Sequence, residues 1–305
     1  MLLWFGAIAA AQEPTGSSGG QGSFRLELPV DEVVLTFHAA DRQGLPVTDL
    51  KQSEVRLLDN GIAPRRIVAF DQFADRPLHV GILLDTSESM RRYLVVSKAV
   101  AGRFVSRDFR PRADQGFVMD FGYASEIAQP PTTDPALLAR GIAGAPLGNM
   151  NALGGTALFA AIFRACYYEF GNSDPTAMGN VILLFSDGED TAGQTTMTEA
   201  VKACQRSNTI IYAFRPRPGH RFSTGPKALA ELTQKTGGRV FLSDDTGDEI
   251  ESDLKTVESE TRNQYRLVYS PAGLLHDGSF HRIELKLPDR VTEFKVRTGY
   301  YAPTQ

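Results

Sequence analysis

The chain has 305 residues, 42% hydrophobic and 22% charged, enough for a sizeable core in one or two domains. Its 32 basic and 36 acidic residues leave a net charge of -4 with no basic block, which argues against nucleic acid as a partner. The five histidines (His38, His79, His220, His276 and His281) show no metal-ligand spacing and read as surface or packing residues, and there is no G-x-S-x-G elbow, G-K-[ST] loop or G-x-G-x-x-G fingerprint.

Residues 1–11 (MLLWFGAIAAA) are apolar and end in small residues ahead of Gln12-Glu13-Pro14, the ending of a secretory signal peptide without its basic start. At about 11 residues the stretch is too short to span a bilayer, which takes about 20. No other segment reaches that length, so the expected mature chain has no transmembrane segment and is exported to the periplasm, the cell surface or the medium. Residues 12–23 are rich in Gly and Ser and read as a flexible linker. Residues 24–76 hold short alternating runs, Glu32 to His38 and Glu54 to Leu58, broken by Arg42-Gln43-Gly44 and Asp59-Asn60-Gly61. They predict a small β segment, too short for a whole two-sheet sandwich of about 100 residues.

Residues 77–262 alternate strand and helix. Strands are predicted at His79 to Leu84, Gly116 to Phe121, Ser125 to Ala128, Val181 to Phe185, Thr209 to Phe214 and Arg239 to Leu242. Helices are predicted at Arg91 to Ser106, Thr156 to Phe170, Thr196 to Arg206, Pro226 to Thr236 and Asp248 to Arg262. This succession predicts an α/β domain, a doubly wound and mainly parallel sheet with helices on both faces. Val181-Ile182-Leu183-Leu184-Phe185 is apolar throughout, as a strand buried on both faces requires.

Residues 263–305 return to strands, at Gln264 to Tyr269, His281 to Leu287 and Glu293 to Thr298. The economical arrangement is one β-sandwich built from both flanks with the α/β domain inserted into it. Two separate β appendages are the alternative. Cys166 and Cys204 lie on helices either side of strand Val181 to Phe185, which right-handed crossovers place on one sheet face. A disulfide is geometrically open to them, and so is a pair of buried free thiols.

The chemistry concentrates at the strand running into Leu84-Asp85-Thr86-Ser87-Glu88-Ser89. Alternation and a turn bring Asp85, Ser87 and Ser89 to one point, and oxygen donors of this kind suit a hard cation such as Mg²⁺. Thr156, in Gly154-Gly155-Thr156, and Asp187, in Ser186-Asp187-Gly188-Glu189-Asp190, stand at a helix start and a strand end where they can converge on the same ion. Taken singly, Ser87, Ser89 and Thr156 also read as helix caps and Asp187-Gly188 as an ordinary turn.

DTSES, GGTAL and FSDGED, in this order and these contexts, resemble the von Willebrand factor type A domain over about residues 78 to 260. The resemblance implies a Rossmann-like sheet and a metal-ion-dependent adhesion site at Asp85, Ser87, Ser89, Thr156 and Asp187. It implies that the serine hydroxyls, and in some states Thr156, bind the ion directly, that Asp85 and Asp187 bind directly or through water, and that a partner's acidic side chain completes the coordination. Two carboxylates roughly neutralise a dication and leave it electrophilic. Glu88, Gly154, Gly155, Glu189 and Asp190 form the expected partner-binding rim. Gly154 and Gly155 leave the loop free to approach the ion or swing, while the acidic three either crowd the rim with negative charge or read as solvated turn residues. Arg42 to Val47, Val55 to Gly61 and Val296 to Pro303 are similar to the edges of a bacterial exported subgroup of this family.

The expected function is therefore metal-dependent protein binding, in which Mg²⁺, Mn²⁺ or Ca²⁺ captures an Asp or Glu of a partner. A metalloenzyme using the ion for hydrolysis is the alternative, weakened by the lack of a general base beside the ligands. A scaffold with an unliganded site is the other.

Overall fold

Strand-forming runs at the two ends of the chain pair with each other across some 230 residues of sequence. The computed structural model describes residues 32–146, 154–171, 177–217, 223–243 and 247–304; the predicted leader, the linker, the start of the first β flank and His220 lie outside them. The N-terminal flank forms β1 (Val33–Ala40), β2 (Arg56–Asp59) and β3 (Arg66–Phe73). The middle of the chain forms β4 (Leu78–Asp85), α1 (Leu94–Arg107), β5 (Gln115–Phe121), β6 (Ser125–Thr132), α2 (Pro135–Gly144), α3 (Leu158–Arg164), β7 (Gly179–Phe185), α4 (Met197–Arg206), β8 (Thr209–Pro216), α5 (Gly225–Thr236), β9 (Val240–Ser243) and α6 (Gly247–Arg262). The C-terminal flank adds β10 (Gln264–Ser270), β11 (Phe280–Lys286), β12 (Glu293–Val296) and β13 (Gly299–Tyr301).

The flanks make two antiparallel sheets, ordered β12-β1-β10-β3 and β13-β11-β2, each drawing on both ends of the chain. Leu35, Phe37, Leu57, Tyr265, Leu267, Ile283 and Leu285 from the two sheets fill one core. Asp59 ties the sheets together: it accepts from Tyr269 Oη at 2.9 Å and Tyr300 Oη at 2.8 Å, and sits 2.7 Å from His281 Nδ1. The chain leaves this unit after Phe73 and re-enters it at Gln264, and these two residues are partners in the β3–β10 ladder. Exit and entry thus lie side by side, as an inserted domain requires.

The inserted part is an α/β layer structure with a six-stranded sheet, ordered β6-β5-β4-β7-β8-β9, parallel except for β6. One face, with Val80, Ile82, Leu84, Leu183 and Phe185, packs on α1, α2 and α6; the other, with Leu83, Ile182, Leu184 and Ala213, packs on α3, α4 and α5. Both faces are buried, which explains the unbroken apolar strands. Three elements depart from the sequence expectation. β6 runs to Thr132 through Pro130 and Pro131, which lack a donor N–H and are tolerated because the strand lies at the sheet edge. α2 was not expected; Asp134 caps it, accepting from Ala136 N at 2.8 Å, and Pro135 opens it. The single strand expected over Glu293 to Thr298 ends at Val296, and β13 follows in the other sheet.

Cys166, in the π-helical turn that prolongs α3, is bonded to Cys204 of α4, both within the apolar layer under these helices. Among the described residues no helix is long and apolar enough to cross a membrane.

Candidate metal centre

From β4 the chain moves outward to β5 on one side and later to β7 and β8 on the other, so the strand order reverses at β4 and its carboxyl end opens on a crevice. Asp85 is the last residue of β4. Its carboxylate is fully buried, accepts from Ser87 N at 2.9 Å through Oδ1 and from Ser186 Oγ at 2.6 Å through Oδ2. Ser87 is buried and its hydroxyl stands 3.1 Å from that of Ser89, which is exposed on the short 3₁₀ turn leading to α1. Neither serine side chain caps that turn.

Asp187 follows Ser186 at the end of the adjacent strand β7 and is half-buried. Its Oδ1 accepts from Glu189 N at 3.1 Å, which shapes the turn. Gly188 has φ +88, and a side chain there would strike the Gly225 carbonyl at the start of α5, so only glycine lets this turn lie against the helix. Thr156 is buried and arrives on the third loop. Two consecutive carbonyls at the end of β5 align the first and third loops: Phe121 O accepts from Thr86 N at 2.8 Å, and Gly122 O accepts from Ala157 N at 2.7 Å. The second and third loops are tied by Thr191, whose Oγ1 accepts from Thr156 N at 2.8 Å and whose N–H donates to Thr156 O at 2.9 Å.

Asp85, Ser87 and Ser89 are thus joined to one another, and Asp187 is joined to them through its neighbour Ser186. Thr156 is brought to the same sheet edge by backbone anchoring; no hydrogen bond links it to the other four among the described residues. Of the expected rim, Glu88, Gly154 and Gly155 are exposed, the glycines at φ +59 and +97. Glu189 and Asp190 are half-buried, their carboxylates bonded to neighbouring loop groups. Glu189 is held by the Ser223 hydroxyl, by Thr224 Oγ1 at 2.9 Å and by Gly225 N at 2.8 Å, bonds that hold its carboxyl below the usual range. Asp190 accepts from Phe159 N at 3.1 Å and Gly193 N at 3.2 Å. Sequence reasoning assigned no role to Ser186, although it lies inside the FSDGED run, nor to Thr191, one residue beyond it, which no spacing marks.

Burial pushes the Asp85 carboxyl up to about 6; the bonds from Ser186 and Ser87 oppose this, and the charge of Asp187 adds to it. None of these influences is a cation: burial, hydroxyl and amide bonds, and the charge of Asp187 set the environment of Asp85. A buried carboxylate in that position is costly until positive charge reaches it. Among the described residues no group of three or more His, Cys, Asp and Glu side chains is arranged for a metal. The donor set here is different, two carboxylates with Ser and Thr hydroxyls, and such all-oxygen sets suit hard dications.

A doubly wound sheet with three oxygen-bearing loops at its switch point is the architecture of a von Willebrand factor type A domain. The family profile for the von Willebrand factor type A domain matches residues 80–189 of the chain, from β4 through the Asp187 turn. Solved structures of similar fold include proximal thread matrix protein 1 from the mussel byssus, at 18% identity and TM-score 0.49 over 62% of this chain and 48% of that one, about half its length. Others are an aerotolerance-related membrane protein from Bacteroides fragilis NCTC 9343, at 18% identity and TM-score 0.47 over 59% and 98% of the two chains, and a von Willebrand factor type A protein from Catenulispora acidiphila, at 14% and 0.47 over 90% and 74%. The mussel protein has also been solved with a zinc-occupied metal-ion-dependent adhesion site. No curated protein matches the chain.

Proposed function

We infer that this is an exported, non-enzymatic binding protein that holds a divalent cation, Mg²⁺ with Mn²⁺ or Ca²⁺ as substitutes, and captures an Asp or Glu side chain of a partner protein through it. The domain class is one that generally mediates protein–protein interaction. The metal would be held by Asp85, Ser87, Ser89, Thr156 and Asp187, and would supply an electrophile for an incoming carboxylate. The observation that carries this reading is the fully buried Asp85 carboxylate, surrounded by hydroxyls and facing the charge of Asp187.

The chain's own residues prepare the site. Ser186 and the Ser87 backbone orient Asp85, Thr191 fixes the Thr156 loop, and Gly225 backs the Asp187 turn. Support for a non-enzymatic role comes from the histidines: His79 lies at the start of β4 against Phe117 and Phe170, and His38, His276 and His281 belong to the flanking sequence. Among the described residues no imidazole stands beside the five oxygen donors to move a proton. Export is supported by the apolar leader read from residues 1–11.

The test is calorimetric titration of the full chain with Mg²⁺, Mn²⁺ and Ca²⁺, followed by capture of envelope proteins with and without chelator. Uptake and chelator-sensitive capture, both lost in Asp85→Ala and Thr156→Ala with unchanged circular dichroism, are expected. No uptake at millimolar metal, or capture indifferent to chelator, overturns the reading; substrate turnover in the capture fraction would move the protein to the metalloenzyme class.

A further inference from the structure

Glu189 departs from its expected place on the partner-binding rim. Both of its carboxylate oxygens are engaged by the start of α5: Oε1 accepts from Gly225 N at 2.8 Å and from the Ser223 hydroxyl, and Oε2 accepts from Thr224 Oγ1 at 2.9 Å. The first N–H groups of a helix have no acceptor inside it, and Thr224, the N-cap residue of α5, makes no side-chain cap bond of its own. The acceptor comes instead from a residue 36 positions earlier, on the loop that follows β7. A carboxylate there also meets the positive end of the helix dipole.

The same residue reaches the candidate metal centre through its backbone. Glu189 N donates to Asp187 Oδ1 at 3.1 Å, so Glu189 holds the Asp187 carboxylate at one end and is itself held by α5 at the other. The main chains close this contact: a side chain on Gly188 would strike the Gly225 carbonyl, and one on Gly225 would come within 2.2 Å of Asp187 O. Gly188 leaves the turn many backbone conformations, and a fixed neighbour removes that freedom. α5 is a firm anchor, since Leu229 and Leu232 are fully buried in the layer under the helices.

We propose that Glu189 is a positioning residue for the metal centre, a latch onto α5 that holds the Asp187 carboxylate where the ion needs it. The proposal rests on the metal-binding reading above. It sets Glu189 apart from a rim contact to the partner and from a charge that attracts the cation, because what the residue supplies is reach and hydrogen bonding. Two near-isosteric variants separate these roles. Glutamine loses the charge but keeps the latch: its amide oxygen accepts from Gly225 N, and its NH₂ donates to Thr224 Oγ1. Aspartate keeps the charge but is one methylene short of the same partners.

The experiment is calorimetric titration of the full chain, Glu189→Gln and Glu189→Asp with Mg²⁺ and with Mn²⁺, alongside urea midpoints in chelator. Glu189→Asp is expected to bind both ions about tenfold or more weakly, the usual cost of losing a group that orients a metal ligand. Glu189→Gln should bind them as the unmodified chain does. Weaker binding by Glu189→Gln than by Glu189→Asp overturns the latch in favour of a charge effect. Equal uptake by all three chains, with a lowered urea midpoint in Glu189→Asp, also overturns it: Glu189 is then a helix cap and nothing more, and the metal reading stands. No uptake by the unmodified chain overturns the metal reading and this proposal with it.

Discussion

A buried carboxylate stands at each end of β4, Asp114 against its first residue and Asp85 as its last, and the fold surrounds the two in opposite ways. At its start, Leu78 N donates to Asp114 at 2.9 Å, and the same carboxylate receives Arg262 Nη2 at 2.7 Å, Nη1 at 3.2 Å and Arg110 N at 2.8 Å. Burial pushes that carboxyl up, but these bonds, Arg262 first, hold it below the usual carboxylate range. At its end, Asp85 is equally buried, meets hydroxyls and a second acid, and is pushed up to about 6. The lesson is that burial alone does not tell a structural carboxylate from a functional one. The partner does: a guanidinium from α6 completes Asp114 within the chain, whereas among the described residues the hydrogen-bond partners of Asp85 are neutral hydroxyl and amide groups.

Four measurements can break or sharpen this contrast. The largest effect is expected from Arg262→Met, which strands the Asp114 charge; breaking a buried pair from one side costs about 3–5 kcal/mol, read as a shift in urea midpoint. A loss within about 1 kcal/mol would show that the backbone donors and the Arg110 guanidinium, 3.5 Å away, hold Asp114 without it. Next comes pH. His79, also near the start of β4, is held down to about 4 by burial, against 6.5 when exposed. Between these values the unfolded chain binds a proton that the folded chain refuses, so stability is complete above pH 6.5 and falls as pH drops toward 4, by up to about 3 kcal/mol. His79→Leu should flatten denaturation midpoints over that window, and an unchanged slope would exclude His79 as its source.

A smaller effect is expected at the other end. Thr191→Val removes the acceptor of Thr156 N and should cost about 1 kcal/mol in stability while weakening Mg²⁺ uptake in calorimetry; unaltered uptake would mean that the Thr156 loop needs no such anchor. The smallest is Asp85→Asn. In chelator its urea midpoint should stay within about 1 kcal/mol of the unmodified chain or rise, because an amide keeps the bonds to Ser87 and Ser186 without the buried charge. Metal uptake should disappear. A destabilisation as large as that of Arg262→Met would erase the distinction between the two carboxylates.

Much of this was legible in the chain. Unbroken apolar runs such as Val181 to Phe185 announce strands buried on both faces, because only a doubly covered sheet hides every side chain. The helix expected from Thr196 to Arg206 forms as α4, and the structure shows Thr196 and Glu199 closing a capping box at its start. The three oxygen-bearing motifs are local, so Asp85, Ser87, Ser89, Thr156 and Asp187 could be named from spacing and resemblance. Less legible were β6, where two prolines mask a strand that only its edge position permits, and α2, a ten-residue helix whose Asp134-Pro135 start is a weak signal.

The sequence by itself determined the alternation of elements and the three oxygen-bearing motifs, since both depend on neighbours within a few residues along the chain. Tertiary structure alone decided which carboxylate is neutralised and which is not. Arg262 lies 148 residues from Asp114, and Ser186 lies 101 from Asp85. Charge compensation acts through space, across distances in sequence that no local pattern records.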